Sequence, residues 1–336
     1  MIDGRRDGIH TGRGGDDTDQ SRLALMLDRL TADEALVDHF VYLVGRPPIK
    51  DFTGFVTEQG VNGQDADVGA LTEEWHAASR YIRELQSQEK GLPDDAVIEP
   101  LPGHLEPLRD RLFEDPVFRH AFNTVPTDVG IVELDRLVVY QKFVNLSHRE
   151  LFRRGLGADH GDADVFRACL PFDHPQPPVR WVRTHHDEFV FVSPSNDIRF
   201  LESVVLEPDQ IDSSRRSGSV AGVVALTVGF GSNFLNAIHC EDRLILLNGT
   251  HRAYCLREIG YTHLPCIIQH VSTREELDAA ASGDLRRNPE PYLRQARPPM
   301  FKDYFDPRLH RIVPVPRRLR QVRVKFEIEE SDVPGL

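Results

Sequence analysis

The residues best suited to chemistry form one short run: Asn248, Gly249, Thr250, His251 and Arg252. A nearly continuous apolar segment at residues 243–247 precedes this run, as expected of a strand buried on both faces. Residues 250–259 have helical spacing and are followed by Gly260, a common helix terminator. The first amides of a helix lack internal acceptors and lie at the positive end of its dipole. The order strand, turn, helix therefore predicts a cradle for a phosphate group.

The side chains of the run fit the same chemistry. Gly249 would let the backbone approach a ligand closely, and Arg252 could bind two phosphate oxygens at once. In the alternative interpretation, Gly249 serves an ordinary turn and Arg252 pairs with an acid such as Glu258. The residue pattern alone does not separate the two interpretations.

The overall charge limits the classes of partner. The chain has 53 acidic and 40 basic residues, a formal net charge of −13, which argues against a protein that grips a DNA duplex. Residues 308–325 are rich in Arg and Lys and contain no acid. We interpret them first as a solvated or packed pair of strands, and second as an edge that contacts an anion.

The cysteines, the length of the apolar runs and the first 20 residues indicate the cellular compartment. The four cysteines form no C-x-x-C pair, and no apolar run reaches the ~20 residues needed to cross a bilayer. The first 20 residues lack the apolar segment of a signal peptide. We expect a cytoplasmic protein with no membrane partner.

Hydrophobic periodicity suggests four regions. Residues 21–124 are predicted to be a helical N-terminal region, with helices at residues 21–44, 71–88 and 105–122, the last interrupted at Pro116. The full division is a disordered tail (1–20), the helical region (21–124), a core (125–271) with an insertion at about 145–189, and a C-terminal helix with a Pro-rich extended tail (272–336).

Residues 184–188, with the sequence THHDE, form a second candidate site. Histidine and carboxylate ligands at close spacing can bind a divalent metal, but adjacent side chains of a strand point to opposite faces. A polar loop is the alternative. If a nucleotide site requires Mg²⁺, Asp187 or Glu188 could help to hold the ion through water.

Residues 243–268, RLILLNGTHRAYCLREIGYTHLPCII, resemble the signature of the ParB/sulfiredoxin superfamily. In that family a strand of the type "ycLIDGHHR" leads into a helix, a glycine and a "vPvii" strand, which correspond here to residues 244–252, 253–260 and 264–268. Residues 129–137 are similar to the family's first strand, of the type "ipvdkL". The resemblance implies an α+β fold with a small mixed-sheet core of the ParB/sulfiredoxin type.

The family contains three chemistries. Sulfiredoxins have a catalytic Cys where this chain has Thr250, so sulfinic-acid reduction is not expected. Partition proteins bind CTP and add a helix-turn-helix domain, for which the Pro-rich residues after 271 give no sign, so duplex DNA is an unlikely partner. Members similar to free-serine kinases place an acid shortly after the first strand as general base. Residues 138–145 offer Gln141 and Lys142 there but no acid, and the nearest acids are Glu133 and Asp135.

The resemblance and the residue pattern together predict a nucleotide-binding protein. We expect ATP or CTP with Mg²⁺, and transfer of a phosphoryl group to a small hydroxylated metabolite or hydrolysis of the triphosphate. The alternative is a non-catalytic nucleotide-dependent switch or interaction module. The expected catalytic residues are Gln141, Lys142, Glu133 and His251, and Asn248, Gly249, Thr250, His251 and Arg252 would bind the phosphates.

Overall fold

A computed structural model of the protein describes residues 37–147, 149–157, 160–195, 197–207, 210 and 220–334. The predicted tail at residues 1–20 and the first part of the predicted helix at residues 21–44 lie outside this range. Within it the chain mixes helices with four separate β-sheets, which confirms the α+β class. None of the described helices is both long enough and apolar enough to cross a membrane.

The strands are β1 (Val37–Leu43), β2 (Ile98–Pro100), β3 (Thr127–Glu133), β4 (Val138–Val139), β5 (Phe143–Asn145), β6 (Arg180–His185), β7 (Glu188–Ser193), β8 (Arg199–Leu206), β9 (Val223–Gly229), β10 (Asn236–Cys240), β11 (Arg243–Asn248), β12 (His263–Val271), β13 (His310–Pro316) and β14 (Arg320–Lys325). The α-helices are α1 (Ile49–Gly54), α2 (Val68–Gln88), α3 (Glu106–Glu114), α4 (Pro116–Ala121), α5 (Arg149–Leu156), α6 (Asp162–Cys169), α7 (Thr250–Glu258), α8 (Arg274–Ala280), α9 (Gly283–Arg287) and α10 (Glu290–Leu293).

The chain divides into two compact units. The larger unit contains Leu36–His174 and Ser232–Arg317, and the smaller unit contains Pro175–Gly231 and Arg318–Leu336. The region predicted as an insertion at residues 145–189 is therefore shared between the two units. Its first part forms α5 and α6 of the larger unit, and its last part begins the smaller unit.

The main sheet of the larger unit has the order β2-β3-β12-β10-β11-β4. β10 runs parallel to β12 and β11 runs parallel to β4, and the other neighbouring strands are antiparallel. The first four residues of β11 are buried, because both faces of this strand are covered by apolar residues. The mixed sheet and the buried strand before the turn agree with the sequence pattern.

The link between β3 and β4 shows that the main sheet is curved. Glu133 ends β3 and Val138 begins β4, so five residue steps, or at most about 18 Å of extended chain, connect them. Four strand spacings separate β3 from β4 in the sheet order, which amounts to about 19 Å in a flat sheet. Part of the link is a 3₁₀ turn, which shortens its reach. The sheet must therefore curl so that its two sides approach each other.

The predicted helices at residues 71–88, 105–122 and 250–259 are confirmed by α2, by α3 with α4, and by α7. The break before Pro116 is also confirmed. Asp115 separates α3 from α4, and its carboxylate accepts the amide of Val117 at 2.7 Å as an N-terminal cap.

The helix predicted at residues 21–44 is wrong over Val37–Leu43, which form β1. This strand pairs with β13 on one side and β5 on the other, so that Phe40 lies opposite both Val313 and Asn145. The apolar spacing of Val37, Phe40 and Val41 fits one face of a helix better than the alternation of a strand. The partner strands are distant in sequence, and this pairing decided the conformation.

The smaller unit contains an antiparallel three-stranded sheet of order β14-β7-β6 and a separate hairpin of β8 and β9. One face of the three-stranded sheet buries Val190 and Val192 against Val182 and Leu319. The strongly basic residues 308–325 are thus divided, with β13 in the larger unit and β14 in the smaller one. Both predicted strands are present, but they do not pair with each other, since β13 pairs with β1 and β14 pairs with β7.

Candidate functional site

The turn between β11 and α7 has the geometry expected of a strand–turn–helix cradle. Gly249 has a φ of +85°, in the left-handed region, and α7 begins at the next residue. A Cβ on Gly249 would lie 2.8 Å from the Cα of Leu235, so no larger residue fits. The glycine therefore serves the close packing of Leu235, a role that the sequence did not reveal. Asn248 supports the turn, because its side chain accepts the amide of Gly249 at 2.8 Å and donates to the carbonyl of Ser232 at 2.6 Å.

Thr250 occupies the first position of α7 with only 2% of its surface exposed. Its Oγ1 is buried and has no hydrogen-bond partner among the described residues. A buried hydroxyl without a partner costs about 1–3 kcal/mol. Such an atom in the first turn of a helix is the feature of this turn that most directly indicates a ligand.

Arg252 is held by the protein itself. Its Nη1 donates to the carbonyl of Cys169 at 3.3 Å, and its Nη2 donates to Oδ1 of Asn233. Burial lowers the pKa of the Arg252 guanidinium. The alternative pairing with Glu258 does not occur, since Glu258 accepts from Arg149 at 3.2 Å and from Arg153 at 3.5 Å. His251 lies half-buried in the same first turn of α7.

The parallel pairing of β4 with β11 brings the two predicted halves of the site to one edge of the sheet. Val139, the last residue of β4, lies opposite Leu246, so Gln141 and Lys142 emerge at the edge where the turn at residues 248–250 begins. Tyr140 links the two segments, because its hydroxyl donates to the carbonyl of Leu247 at 3.2 Å.

A cavity of about 470 Å³ opens beside this edge. Gln141 lines it, and the carbonyl of Gln141 accepts a hydrogen bond from the hydroxyl of Tyr304 at 2.6 Å. The charged and phenolic residues that line the cavity are Arg46, Asp51, Tyr140, Lys142, Asp284, Arg287 and Tyr292.

The cavity contains the acids that the sequence pattern lacked near Gln141. Lys142 Nζ lies 2.6 Å from Asp51 Oδ2 and 4.0 Å from Asp284 Oδ2. Asp51 belongs to α1 and Asp284 to α9, respectively 91 residues before and 142 residues after Lys142. No local pattern could have indicated either of them, because only the fold brings these segments to the cavity.

Arg46 is the most enclosed cation of the cavity. Its Nη1 donates to Gln295 at 3.2 Å, its Nη2 donates to the carbonyl of Pro298 at 3.1 Å, and its Nε is buried with no partner among the described residues. Burial lowers the pKa of Arg46 to about 10, so the guanidinium stays charged at neutral pH. It supplies a fixed positive charge to the cavity wall.

Glu133 is not among the residues that line the cavity. It ends β3, opposite His263 of β12. Asp135, the other early acid, accepts two hydrogen bonds from Arg257 at 3.0 and 2.9 Å and is committed to that ion pair. The cavity is therefore lined by Gln141 and Lys142 but by neither early acid and by none of residues 248–252, which follow the neighbouring strand β11.

Asp187 and Glu188 lie in the smaller unit, at the turn between β6 and β7. Glu188 is buried, accepts the hydroxyl of Thr184 at 2.8 Å, and lies 3.6 Å from Arg323. Asp187 lies 3.7 Å from His186. In the described part of the chain, no group of three or more His, Cys, Asp or Glu side chains is arranged to hold a metal ion. The Mg²⁺ role of these two acids remains a prediction.

Comparisons of the chain with protein-family models, with curated proteins and with solved structures found no match.

Proposed function

We propose that the protein binds a nucleoside triphosphate at the edge where β4 and β11 end, and that it transfers the terminal phosphoryl group to a small hydroxylated molecule or to water. The parallel pairing of β4 and β11 carries the proposal, because the residues that follow β4 line a charged cavity and the turn at residues 248–252 follows the neighbouring strand β11, although none of residues 248–252 lines the cavity itself. The resemblance of residues 243–268 to the ParB/sulfiredoxin signature supports the same site.

The phosphates are held by donors at the start of α7. The amides of its first turn and the unpartnered hydroxyl of Thr250 donate to phosphate oxygens. Lys142 and Arg287, which line the cavity and pair with Asp51 and Asp284 respectively, stabilise the charge that develops on the transferred group. Phosphoryl transfer depends mainly on such positioning and charge stabilisation.

Asp284 is the general base of the proposed reaction. It belongs to the α9 segment, whose Ser282 lies 3.3 Å from the hydroxyl of Tyr140, which in turn bonds to Leu247 beside the turn. Asp284 takes the proton of the acceptor hydroxyl while the acceptor oxygen bonds to the terminal phosphorus. The bond from that phosphorus to the bridging oxygen breaks, and the nucleoside diphosphate leaves.

A divalent ion bound with the nucleotide would neutralise phosphate charge. Mg²⁺ sites commonly use one or two protein carboxylates together with phosphate oxygens and water. Asp51 faces the cavity and would provide such a carboxylate, which fits better than the buried carboxylate of Glu188, already bonded to Thr184 and 3.6 Å from Arg323.

One observation favours the second candidate, a non-catalytic switch. Arg252 bonds to Asn233 and to the carbonyl of Cys169, and Lys142 bonds to Asp51, so both cations have protein partners before any ligand binds. A nucleotide that recruits them must release these contacts. Such an exchange could signal binding without chemistry.

The test combines a nucleotide panel with turnover. Melting temperatures are measured with nucleoside di- and triphosphates, with and without Mg²⁺, and phosphate release is measured with the best ligand. A nucleotide at ~100 times its Kd stabilises a protein by about 2.7 kcal/mol. Asp284→Asn should abolish turnover and retain binding, whereas Asp110→Asn, at an exposed acid of α3, should change neither. Binding without turnover in the wild type would favour the switch, and no stabilisation by any nucleotide would contradict the site.

A further inference from the structure

The three-stranded sheet of the smaller unit has a row of aromatic side chains on one face. Trp181 lies opposite Phe191 in the pairing of β6 with β7, and Phe189 lies two residues before Phe191 on the same strand. Side chains two residues apart on a strand share a face. Phe326, directly after β14, stacks with Phe189 at a centroid distance of 6.4 Å and an interplanar angle of 23°. These four rings are called the aromatic face below.

The aromatic face is not the packed face of this sheet. Val190 and Val192, which alternate with Phe189 and Phe191 along β7, form the buried apolar cluster on the other face. Trp181 is 62% exposed, and the three phenylalanines are partly exposed. A cluster of large aromatic side chains in contact with solvent commonly marks a binding surface.

The rings form separate platforms. Trp181 lies 6.5 Å from Phe191 and 6.4 Å from Phe189 between centroids, with tilts of 33° and 52°. Arg183 lies over the ring of Phe189 at 5.6 Å. Planar groups can therefore stack on individual rings beside a fixed positive charge.

The charge of this sheet is opposite to that of the whole chain. Glu188 is the single acid in the sequences of β6, β7 and β14, and it is buried. The same strands contain five cations, of which Arg183 and Arg320 share the aromatic face by strand register. The other three, Arg180, Arg323 and Lys325, lie opposite Val192, Val190 and Glu188 on the other face. The chain as a whole has a net charge of −13, so the basic character is local. Four acids follow β14 at residues 327–332, which should keep the affinity for a polyanion moderate and sensitive to salt.

We propose that the aromatic face binds single-stranded nucleic acid. Unpaired bases stack on exposed aromatic rings, and Arg183 and Arg320, on the same face as the rings, contact the backbone phosphates. A duplex hides the faces of its bases, and an acidic protein would use the cations but would not need the rings. The proposal rests on the smaller unit alone and is independent of the nucleotide site.

The experiment measures binding of fluorescein-labelled dT12 and U12 to the full chain by fluorescence anisotropy at low salt. We expect binding that weakens as the salt concentration rises. The logarithm of the association constant should fall with the logarithm of the salt concentration, with a slope of about −0.7 per phosphate contact. Stacking should also quench the fluorescence of Trp181. Trp181→Leu and Phe189→Leu should each weaken binding by roughly 5- to 100-fold, because one stacked base contributes about 1–3 kcal/mol.

Two further variants separate stacking from folding. Trp181→Phe keeps a ring and should retain most of the affinity. Phe200→Leu removes a phenylalanine that is 48% exposed on β8 of the same unit, outside the aromatic face, and should have no effect. Circular dichroism and unfolding curves for each variant identify any that fail to fold.

Four results would overturn the proposal. They are no binding at low salt, unchanged affinity in folded Trp181→Leu, a matched duplex that binds as tightly as the single strand, and displacement by polyglutamate as effective per charge as by unlabelled dT12. The last result would indicate an acidic protein partner that contacts the cations alone.

Discussion

At the scale of single residues, Thr250 and Arg252 carry the phosphate-binding hypothesis in different ways. The hydroxyl of Thr250 is buried without a partner, whereas Arg252 is partnered by Asn233 and the carbonyl of Cys169. A ligand would supply the missing hydrogen-bond partner of Thr250. To bind Arg252, it would have to displace Asn233 or the carbonyl of Cys169. Substitutions at the two positions should therefore change stability and affinity in different proportions.

Thr250→Val is expected to raise stability and lower affinity. Valine has the same shape but removes a buried unpaired hydroxyl, so the free energy of unfolding should rise by about 1 kcal/mol. The affinity for the best nucleotide should fall by ~2- to 10-fold, since one hydrogen bond is lost. Urea unfolding and ligand titration measure the two quantities, with Thr262→Val, at an exposed threonine, as the control. Lower stability with unchanged affinity would show that the hydroxyl serves the fold.

Arg252→Ala is expected to lower the affinity for the nucleotide by ~10- to 100-fold, because a charge-assisted hydrogen bond contributes about 1.5–3 kcal/mol. Arg252→Lys should recover part of this loss, since an ammonium cannot make a two-pronged contact with phosphate. The measurement is a titration with parallel unfolding curves. If Arg252 only tethers Asn233 and the Cys169 carbonyl, the free energy of unfolding will fall while the affinity remains that of the wild type.

At the scale of elements, the site depends on how β11 turns into α7 and on which strand β11 meets. Only glycine fits at residue 249, because its φ is positive and Leu235 lies against it. The pairing of β4 with β11 brings Lys142 to the same end of these strands. The short link between β3 and β4 makes this arrangement possible only in a curved sheet. The local turn and the long-range pairing are therefore both required.

Gly249→Ala is expected to destabilise the protein by about 2–3 kcal/mol. Its φ of +85° strains any residue with a Cβ, and the new methyl group would overlap the backbone of Leu235. Gly260→Ala is the matched control, because Gly260 also has a positive φ, +107°, but nothing lies within 4 Å of a Cβ there. The free energy of unfolding of Gly260→Ala should fall by only about 1–2 kcal/mol. Equal losses in chemical denaturation would contradict the role of Leu235.

At the scale of the whole molecule, acid should weaken the fold through two kinds of group. Burial tends to raise the pKa of Glu89, but hydrogen bonds from Lys302 and Arg297 outweigh it and lower the pKa below 4.5. Asp115 behaves similarly, with His174 and the Val117 amide lowering its pKa below 3.8. Burial lowers the pKa of His310 below 6.5.

The free energy of unfolding should therefore fall as the pH drops from 7 to 3. His310 resists protonation in the folded state, so the unfolded chain binds more protons below pH 6.5. The carboxylates contribute stability above pH 4.5 and 3.8 and lose it as the pH falls through their lowered folded values. Urea unfolding at several pH values measures this slope. His310→Gln should flatten it just below pH 6.5, and His120→Gln, at an exposed histidine, should not.

The sequence by itself determined the elements whose conformation depends on near neighbours. Helical periodicity was sufficient to predict α2. Asp115 and Pro116 were sufficient to predict the break between α3 and α4. The apolar run before Gly249 was sufficient to predict the buried strand. Capping, proline geometry and continuous apolar character act over a few residues, so a single sequence displays them.

Only the tertiary structure decided the features that depend on distant partners. Residues 37–43 became a strand because β13 and β5 pair with them, although their spacing also fits a helix. Asp51 and Asp284 reached Lys142 from distant helices, and the aromatic face was assembled from β6, β7 and the end of β14. Such contacts depend on strand order and sheet curvature, which are set by the packing of the whole chain and leave no periodic signal in one segment.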